Sequence, residues 1–241
     1  MKRILLFCCC LPSLFALVSY NAYGNLLVPN VDIYETAYVH ANGSGKFEIA
    51  VDLAKVESLI KLACFLANVT PEVTKQGIQE AYSRASHSLE DIPGISNVTT
   101  TCDADMLNFS LCFQFDKISA LNEAIRVLYG LIDHPGATHF KMDRHAFSRT
   151  DTVNAAQLLA HYRKSAESQH EDTGAQTNDL IIKNILNVIT YHIAYSFDRE
   201  IKEVTNTLVS ISEDSKKIIL TQPLADVCAK ELSFNNRVTF S

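Results

Sequence analysis

The sequence predicts an α+β fold, a mainly antiparallel sheet with helices packed on one face. Three observations carry this expectation. Apolar residues recur at every second position over several short stretches, the period of a strand with one buried face. Turn-forming residues separate consecutive stretches closely enough to join them as hairpins, and a hairpin forces antiparallel pairing. Between the hairpins the apolar period lengthens to nearly four, as in a helix with one buried stripe.

Residues 31–40 place Val31, Ile33, Ala37 and Val39 on one face and Asp32, Tyr34, Thr36, Tyr38 and His40 on the other. Residues 41–45, Ala-Asn-Gly-Ser-Gly, make a turn, and Phe47, Ile49, Val51 and Leu53 alternate beyond it. The period then changes: Val56, Leu59, Ile60, Ala63 and Ala67 mark a helix face. A second helix starts at Thr70-Pro71, where Thr70 suits the cap and Pro71 the first helical position, and it ends before Pro93-Gly94. Residues 95–101 are rich in β-branched side chains, and Leu107, Phe109, Leu111, Phe113 and Phe115 alternate as the clearest strand of the chain. Asp116 is placed to cap a helix carrying Ile118, Leu121, Ile125, Leu128 and Ile132, which His134-Pro135-Gly136 stops.

Residues 138–149 suit a strand or hairpin around Asp143, and residues 152–164 a helix. The stretch 165–177 is polar and reads as an exposed, mobile loop; residues 180–186 fit helix or strand equally. Ile189, Tyr191, Ile193, Tyr195 and Phe197 alternate as a strand. Residues 204–212 and 217–221 flank Glu213-Asp214-Ser215-Lys216 as a third hairpin, residues 223–231 suit a short helix, and residues 237–240 close with a strand. The helices are expected to cover one face of the sheet and to leave the other wholly or partly wet.

Residues 1–24 have the grammar of a secretory signal: Lys2 and Arg3, an apolar run from Ile4 to about Val18, then Ala22 and Gly24 at the exit. The run is short for a bilayer span of about 20 residues, and Pro12 falls inside it. Cleavage after Gly24 leaves residues 25–241 as a single α+β domain that is exported to the periplasm, cell envelope or medium. Cys8, Cys9 and Cys10 are apolar filler or an acylation site, so contact with a membrane is expected only through the leader. Net charge is −6 and no basic run interrupts it, which gives no electrostatic reason to bind nucleic acid. Cys64, Cys102, Cys112 and Cys228 allow two disulfides in any of three pairings, or buried free thiols.

The segment 38–49, Tyr-Val-His-Ala-Asn-Gly-Ser-Gly-Lys-Phe-Glu-Ile, with Asp52 at the end of its second strand, resembles the opening hairpin of a family of uncharacterised exported lipoproteins of Bacteroidota-type bacteria. The strand over 107–115 leading into Leu121-Asn122-Glu123-Ala124, and the runs 195–202 and 212–215, are similar to that family's middle and closing segments. A more distant likeness is to a mycobacterial envelope lipoprotein domain thought to handle lipids. The resemblance implies an α+β envelope protein with no assigned reaction. This leader lacks the terminal cysteine that such a family would acylate.

No motif assigns a catalytic, cofactor-binding or metal-ligating residue, and no cofactor is implied. His134, His139 and His145 lie near Asp133 and Asp143, but no pair has the spacing that holds two rings on one face, so they read as exposed loop histidines. His87 and Glu90 stand three apart near a helix end and suit ordinary surface residues as well as an acid–base pair. Asn42-Gly43-Ser44-Gly45 joins two strands and opens no helix, unlike a phosphate loop. Sequons occur at Asn42, Asn68, Asn97 and Asn108 and matter only in a eukaryotic secretory pathway. Tyr34, Tyr38, Tyr191 and Tyr195 bring rings to strands, where they pack the core or line an apolar cleft between sheet and helices. The expectation is a non-enzymatic module that binds a hydrophobic ligand or an envelope protein. The alternative is a secreted hydrolase or host-directed effector whose site is assembled from distant residues.

Overall fold

The computed structural model describes residues 31–58, 61, 71–103, 105, 107–128, 138–150, 187–228 and 233–241. The leader, most of the first predicted helix, the helix over 152–164, the polar loop over 165–177, the segment 180–186, Cys64, Asn68 and His134 lie outside the described residues.

The first hairpin forms as its alternation predicts. Strands β1 (Val31–Val39) and β2 (Gly45–Asp52) pair antiparallel from Asp32 opposite Asp52 to Val39 opposite Gly45. Gly43 takes a φ of +84°, which the tight turn requires. A 3-10 turn (Ala54–Val56) follows β2, and helix α1 (Pro71–Glu90) opens on its proline as expected. Strands β3 (Ile95–Cys102) and β4 (Asn108–Phe115) make the second hairpin, and helix α2 (Ile118–Leu128) buries Ala120, Leu121, Ala124, Ile125 and Leu128. Strands β5 (Phe140–Met142) and β6 (Ala146–Arg149) are the hairpin around Asp143. Strand β7 (Ile189–Phe197) is followed by β8 (Ile201–Val204), β9 (Ser210–Ile211), β10 (Lys217–Pro223), the short helix α3 (Leu224–Cys228) and β11 (Asn236–Phe240).

The α+β class stands, with three corrections to its arrangement. The larger sheet has seven strands in the order β3-β4-β2-β1-β7-β10-β9. Its central pair, β1 and β7, is parallel. More than a hundred residues separate these strands, so no hairpin dictates their direction. Secondly, the layer covering the inner face is not helical throughout. Helices α1 and α2 cover the part nearest β4, where Tyr82 stacks on Phe109 at 5.3 Å. A second, antiparallel sheet in the order β5-β6-β11-β8 covers the part nearest β7. There Phe147 meets Tyr195 and Phe197 at 5.7 and 5.4 Å, and Phe240 meets Phe197 at 5.0 Å. Thirdly, residues 204–212 are not one strand. Residues 201–204 join the second sheet, and the Asn236 carboxamide oxygen accepts the backbone N–H of Thr205 and Asn206, which turns the chain away before Ser210 and Ile211 pair with β10.

The two covering pieces are tied to each other. Asn122 of α2 donates to the Phe140 carbonyl and accepts the Phe140 N–H, both at 2.8 Å. The side chain thereby acts as one more strand partner for β5. Gly45 shows how closely neighbouring strands of the larger sheet crowd at the hairpin: a Cβ there would collide with the Tyr38 carbonyl oxygen of β1 and stand 2.7 Å from the Phe115 ring of β4. The variant Gly45→Ala is expected to lose about 1–3 kcal/mol of stability through this overpacking, seen as a lowered urea midpoint at unchanged slope.

Candidate functional site

Three polar clusters lie on the β1–β7 pair, one on its inner face and two at the ends of its outer face, and the register of the pair positions each. On the inner face the alternation of β1 brings Glu35 into line with Val31, Ile33, Ala37 and Val39. Glu35 lies opposite Ile193, so Tyr191 and Tyr195 flank it on the same face. Its carboxylate is 1% exposed. The Tyr191 hydroxyl donates to one oxygen at 2.6 Å, and the Tyr195 hydroxyl and the Arg149 guanidinium donate to the other. Arg149 comes from β6 in the covering sheet, and its guanidinium lies 5.1 Å from the centre of the Phe234 ring and 5.9 Å from that of Phe140. A buried charge is tolerated where it is paired and hydrogen-bonded, and here donors reach both carboxylate oxygens.

Beside this cluster, Phe147, Arg149, Tyr195, Phe234 and Asn236 help line a cavity of about 10 Å3, room for one water. The Asn236 side-chain nitrogen and both side-chain polar atoms of Gln222 are buried with no hydrogen-bond partner.

On the outer face, the same register sets Tyr34 beside His192, and their rings stack at 4.7 Å. His192 places Nε2 2.9 Å from Asp32 and Nδ1 3.1 Å from the Thr221 hydroxyl. Lys55 reaches Asp32 at 2.5 Å. Burial alone would raise the Asp32 pKa, but the hydrogen bonds and charges of Lys55 and His192 outweigh it and hold the carboxyl below the ordinary range. The bond to Asp32 in turn raises Lys55.

At the other end of β1, Asp198 gathers three donors. The Tyr38 hydroxyl reaches it at 2.7 Å, the Ala41 N–H at 3.1 Å and the His40 Nδ1 at 3.1 Å. The Tyr38 bond is the largest cause of a lowered Asp198 pKa, acting against burial, and it raises Tyr38. Between the two outer clusters the face carries the small residues Thr36, Ala194, Ala50 and Ser196, all half-buried, with Glu48 opposite Thr36, while Tyr34 and Tyr38 stand 38% and 43% exposed. The result is a shallow floor with a braced tyrosine at each end.

The tyrosines expected to line one cleft are thus divided between faces: Tyr191 and Tyr195 point inward to Glu35, and Tyr34 and Tyr38 outward. His145 is exposed, but His139 is buried, a correction to its reading as an exposed loop histidine. Asp143 serves the β5–β6 turn, accepting the N–H of His145 at 2.7 Å and of Ala146 at 2.9 Å, and these bonds lower its pKa. The His87 ring bonds the Ser83 carbonyl one turn back. Asn42 accepts the Ser44 N–H and hydroxyl within its turn. Asn97 has a φ of +51° and donates to Gln114, and Asn108 donates to Asp103. Cys102 is exposed at the end of β3, with Sγ 3.4 Å from the Asp103 carbonyl oxygen, and Cys112 is a half-buried free thiol. Sequence reasoning missed Glu35, Arg149, Asp32, Lys55, His192 and Asp198 as site residues. Glu35 had a signal, an acid at a core position of an otherwise apolar alternation. Asp32 meets His192, and His40 meets Asp198, through the parallel register, whereas Lys55 reaches Asp32 from the turn after β2 and Arg149 reaches Glu35 from the covering sheet.

No protein-family model matches the chain, and no curated protein matches it. Among solved structures it is distantly similar to the folded domain of LppM from Mycobacterium tuberculosis, determined by NMR. The TM-score is 0.40 at 6% identity, over 90% of this chain and 94% of that one. The likeness to a Bacteroidota-type family finds no support in these matches.

Replacing Glu35 by Ala removes the buried carboxylate that pairs with the Arg149 guanidinium, and a loss of about 3–5 kcal/mol is expected by urea denaturation. Asp198 yields a prediction with a definite sign. Its folded pKa lies below the unfolded value of about 4, so its contribution is complete above that value and fades as pH falls through the folded pKa. The stability gap between wild type and Asp198→Asn should therefore be full at pH 7 and close progressively below about pH 4, as followed by thermal melts.

Proposed function

We propose that this chain is an exported, non-enzymatic module of the cell envelope that takes a partner protein on the open face of its seven-stranded sheet. The observation that supports this reading is the pair of exposed tyrosines, Tyr34 and Tyr38, braced by His192 and by Asp198 and His40 at either end of a floor of small residues. Tyrosine is enriched among the residues that dominate protein interfaces, and a ring already held in place loses little freedom on docking. Ile219, exposed on β10 beyond Ala194, extends the apolar part of the face. The leader supplies the exported location.

A hydrophobic ligand held between the two sheets fits less well. Among the described residues the cavity between the two sheets, beside Arg149, is about 10 Å3, against several hundred Å3 for sites that enclose small molecules. The test is a photo-crosslinking side chain at Thr36, in the middle of the floor, in cells that export the protein. A discrete protein adduct is expected, with at least a tenfold drop in yield in the Tyr34→Ala, Tyr38→Ala double variant at unchanged melting temperature. Uptake of a fluorescent lipid probe that this double variant does not alter, with no adduct, would overturn the reading in favour of an interior ligand.

A second reading, a secreted hydrolase, is favoured by the His40–Asp198 pair. The carboxylate engages Nδ1 and leaves Nε2 to act as a base. Hydrolysis of fluorogenic ester or peptide substrates that disappears in His40→Ala would establish it.

A further inference from the structure

Among the described residues the seven-stranded sheet ends on one side at β9, two residues long, and on the other at β3, eight residues long. Long edge strands invite pairing, and proteins that must avoid it place lysine, other charges or proline there. Strand β3 carries none of these: its sequence is Ile-Ser-Asn-Val-Thr-Thr-Thr-Cys. Its first half is turned by a bulge between Ser96 and Thr99, where Asn97 has a positive φ. Beyond the bulge, Thr99, Thr100, Thr101 and Cys102 are all exposed.

The ladder to β4 sets which backbone groups are left over. Asp103 N–H donates to the Asn108 carbonyl, and bonded and non-bonded pairs alternate along an antiparallel ladder. Thr101 and Thr99 are then the residues bonded to Ser110 and Cys112, and Thr100, opposite Leu111, turns its N–H and C=O outward. An extended strand laid along this edge finds that donor and acceptor unoccupied.

We propose that the occupant is a second copy of this chain, joined β3 to β3 about a two-fold axis at Thr100. Three features favour a copy of the chain itself. The triplet Thr99-Thr100-Thr101 reads the same in both directions. Antiparallel pairing centred on Thr100 therefore sets Thr100 against the partner's Thr100 in an exchange of two backbone hydrogen bonds. It also sets Thr99 against the partner's Thr101, and cross-strand threonine pairs stabilise sheets through their hydroxyls. Finally, each copy carries a net charge of −6, yet the seam holds no charge and brings no like charges together. The product is one sheet continuous across the dimer, with both open faces on the same side.

The test is sedimentation velocity of the full-length chain, in a non-ionic detergent that keeps its apolar leader dispersed. A concentration-dependent dimer is expected. Thr100→Pro removes the outward N–H and leaves the bonds to β4 in place, as proline is tolerated on the open side of an edge strand. It should raise the dimer dissociation constant at least tenfold while circular dichroism and melting temperature hold. Should the proline variant fail to fold, Thr100→Lys sets like charges across the axis and should weaken the dimer to a similar degree. A monomer at every concentration would overturn the proposal, and so would an oligomer that neither substitution weakens, as association through the leader would be.

Discussion

Nine residues of β1 lie parallel to nine of β7 at a constant offset of 158 in sequence. That offset places Glu35 between Tyr191 and Tyr195, stacks Tyr34 on His192, and continues past the strand ends to set His40 against Asp198. A slip of one residue would turn Glu35 to the outer face and the apolar residues of β1 to solvent. A slip of two would leave Glu35 with one tyrosine in place of two. Apolar packing alone tolerates a shift by two more readily than buried hydrogen bonds do. The Glu35 cluster thus acts less as a source of net stability than as the feature that selects one alignment. Arg149 extends that selection to the second layer, because its guanidinium reaches Glu35 only when β6 sits over β7.

The two faces divide the work. The inner face is built from rings: Phe147, Phe197, Phe240, Tyr195 and Phe140 meet edge to face or stacked across the gap between sheets, and the charged cluster lies among them. Between its two tyrosines the outer face is built mainly from short side chains, with the charged residues Lys46, Glu48 and Lys217 on the flanking strands. Asp32 and Asp198 are both held ionised by neighbours and both fix a tyrosine or its stacking partner. The exposed rings of the central strand are consequently held at defined positions rather than free to rotate.

Much of this architecture is legible in the residues. Strands with clean alternation, such as Leu111, Phe113 and Phe115 in β4 or Ile189 to Phe197 in β7, announce both their extent and their buried face. The proline at the start of α1 and the turn residues around Asn42 and Asp143 mark their elements because each depends on a local backbone requirement. The second sheet is legible only in pieces: the hairpin around Asp143 and the closing strand can be read, but β8, and the assembly of four strands of three to five residues into a sheet of their own, cannot. Nor can the parallel pairing, which depends on long-range packing. Of the polar clusters, only Glu35 could be suspected, as an acid sharing parity with Ile33 and Ala37. Asp32, His192, Asp198 and Lys55 look like ordinary outward polar residues until the register brings them together.

The central pairing also governs when the molecule can form. Strand β1 is the first of the described strands and its neighbour ends at residue 197, while the last of them, β11, is inserted between β6 and β8. The β3-β4-β2-β1 half can pair early, but the middle of the large sheet waits for a segment that emerges late from the ribosome. Long-range contacts of this kind slow folding. A chain of this topology keeps the centre of its large sheet open to threading, chaperones or proteases until residues 189–197 are available to pair.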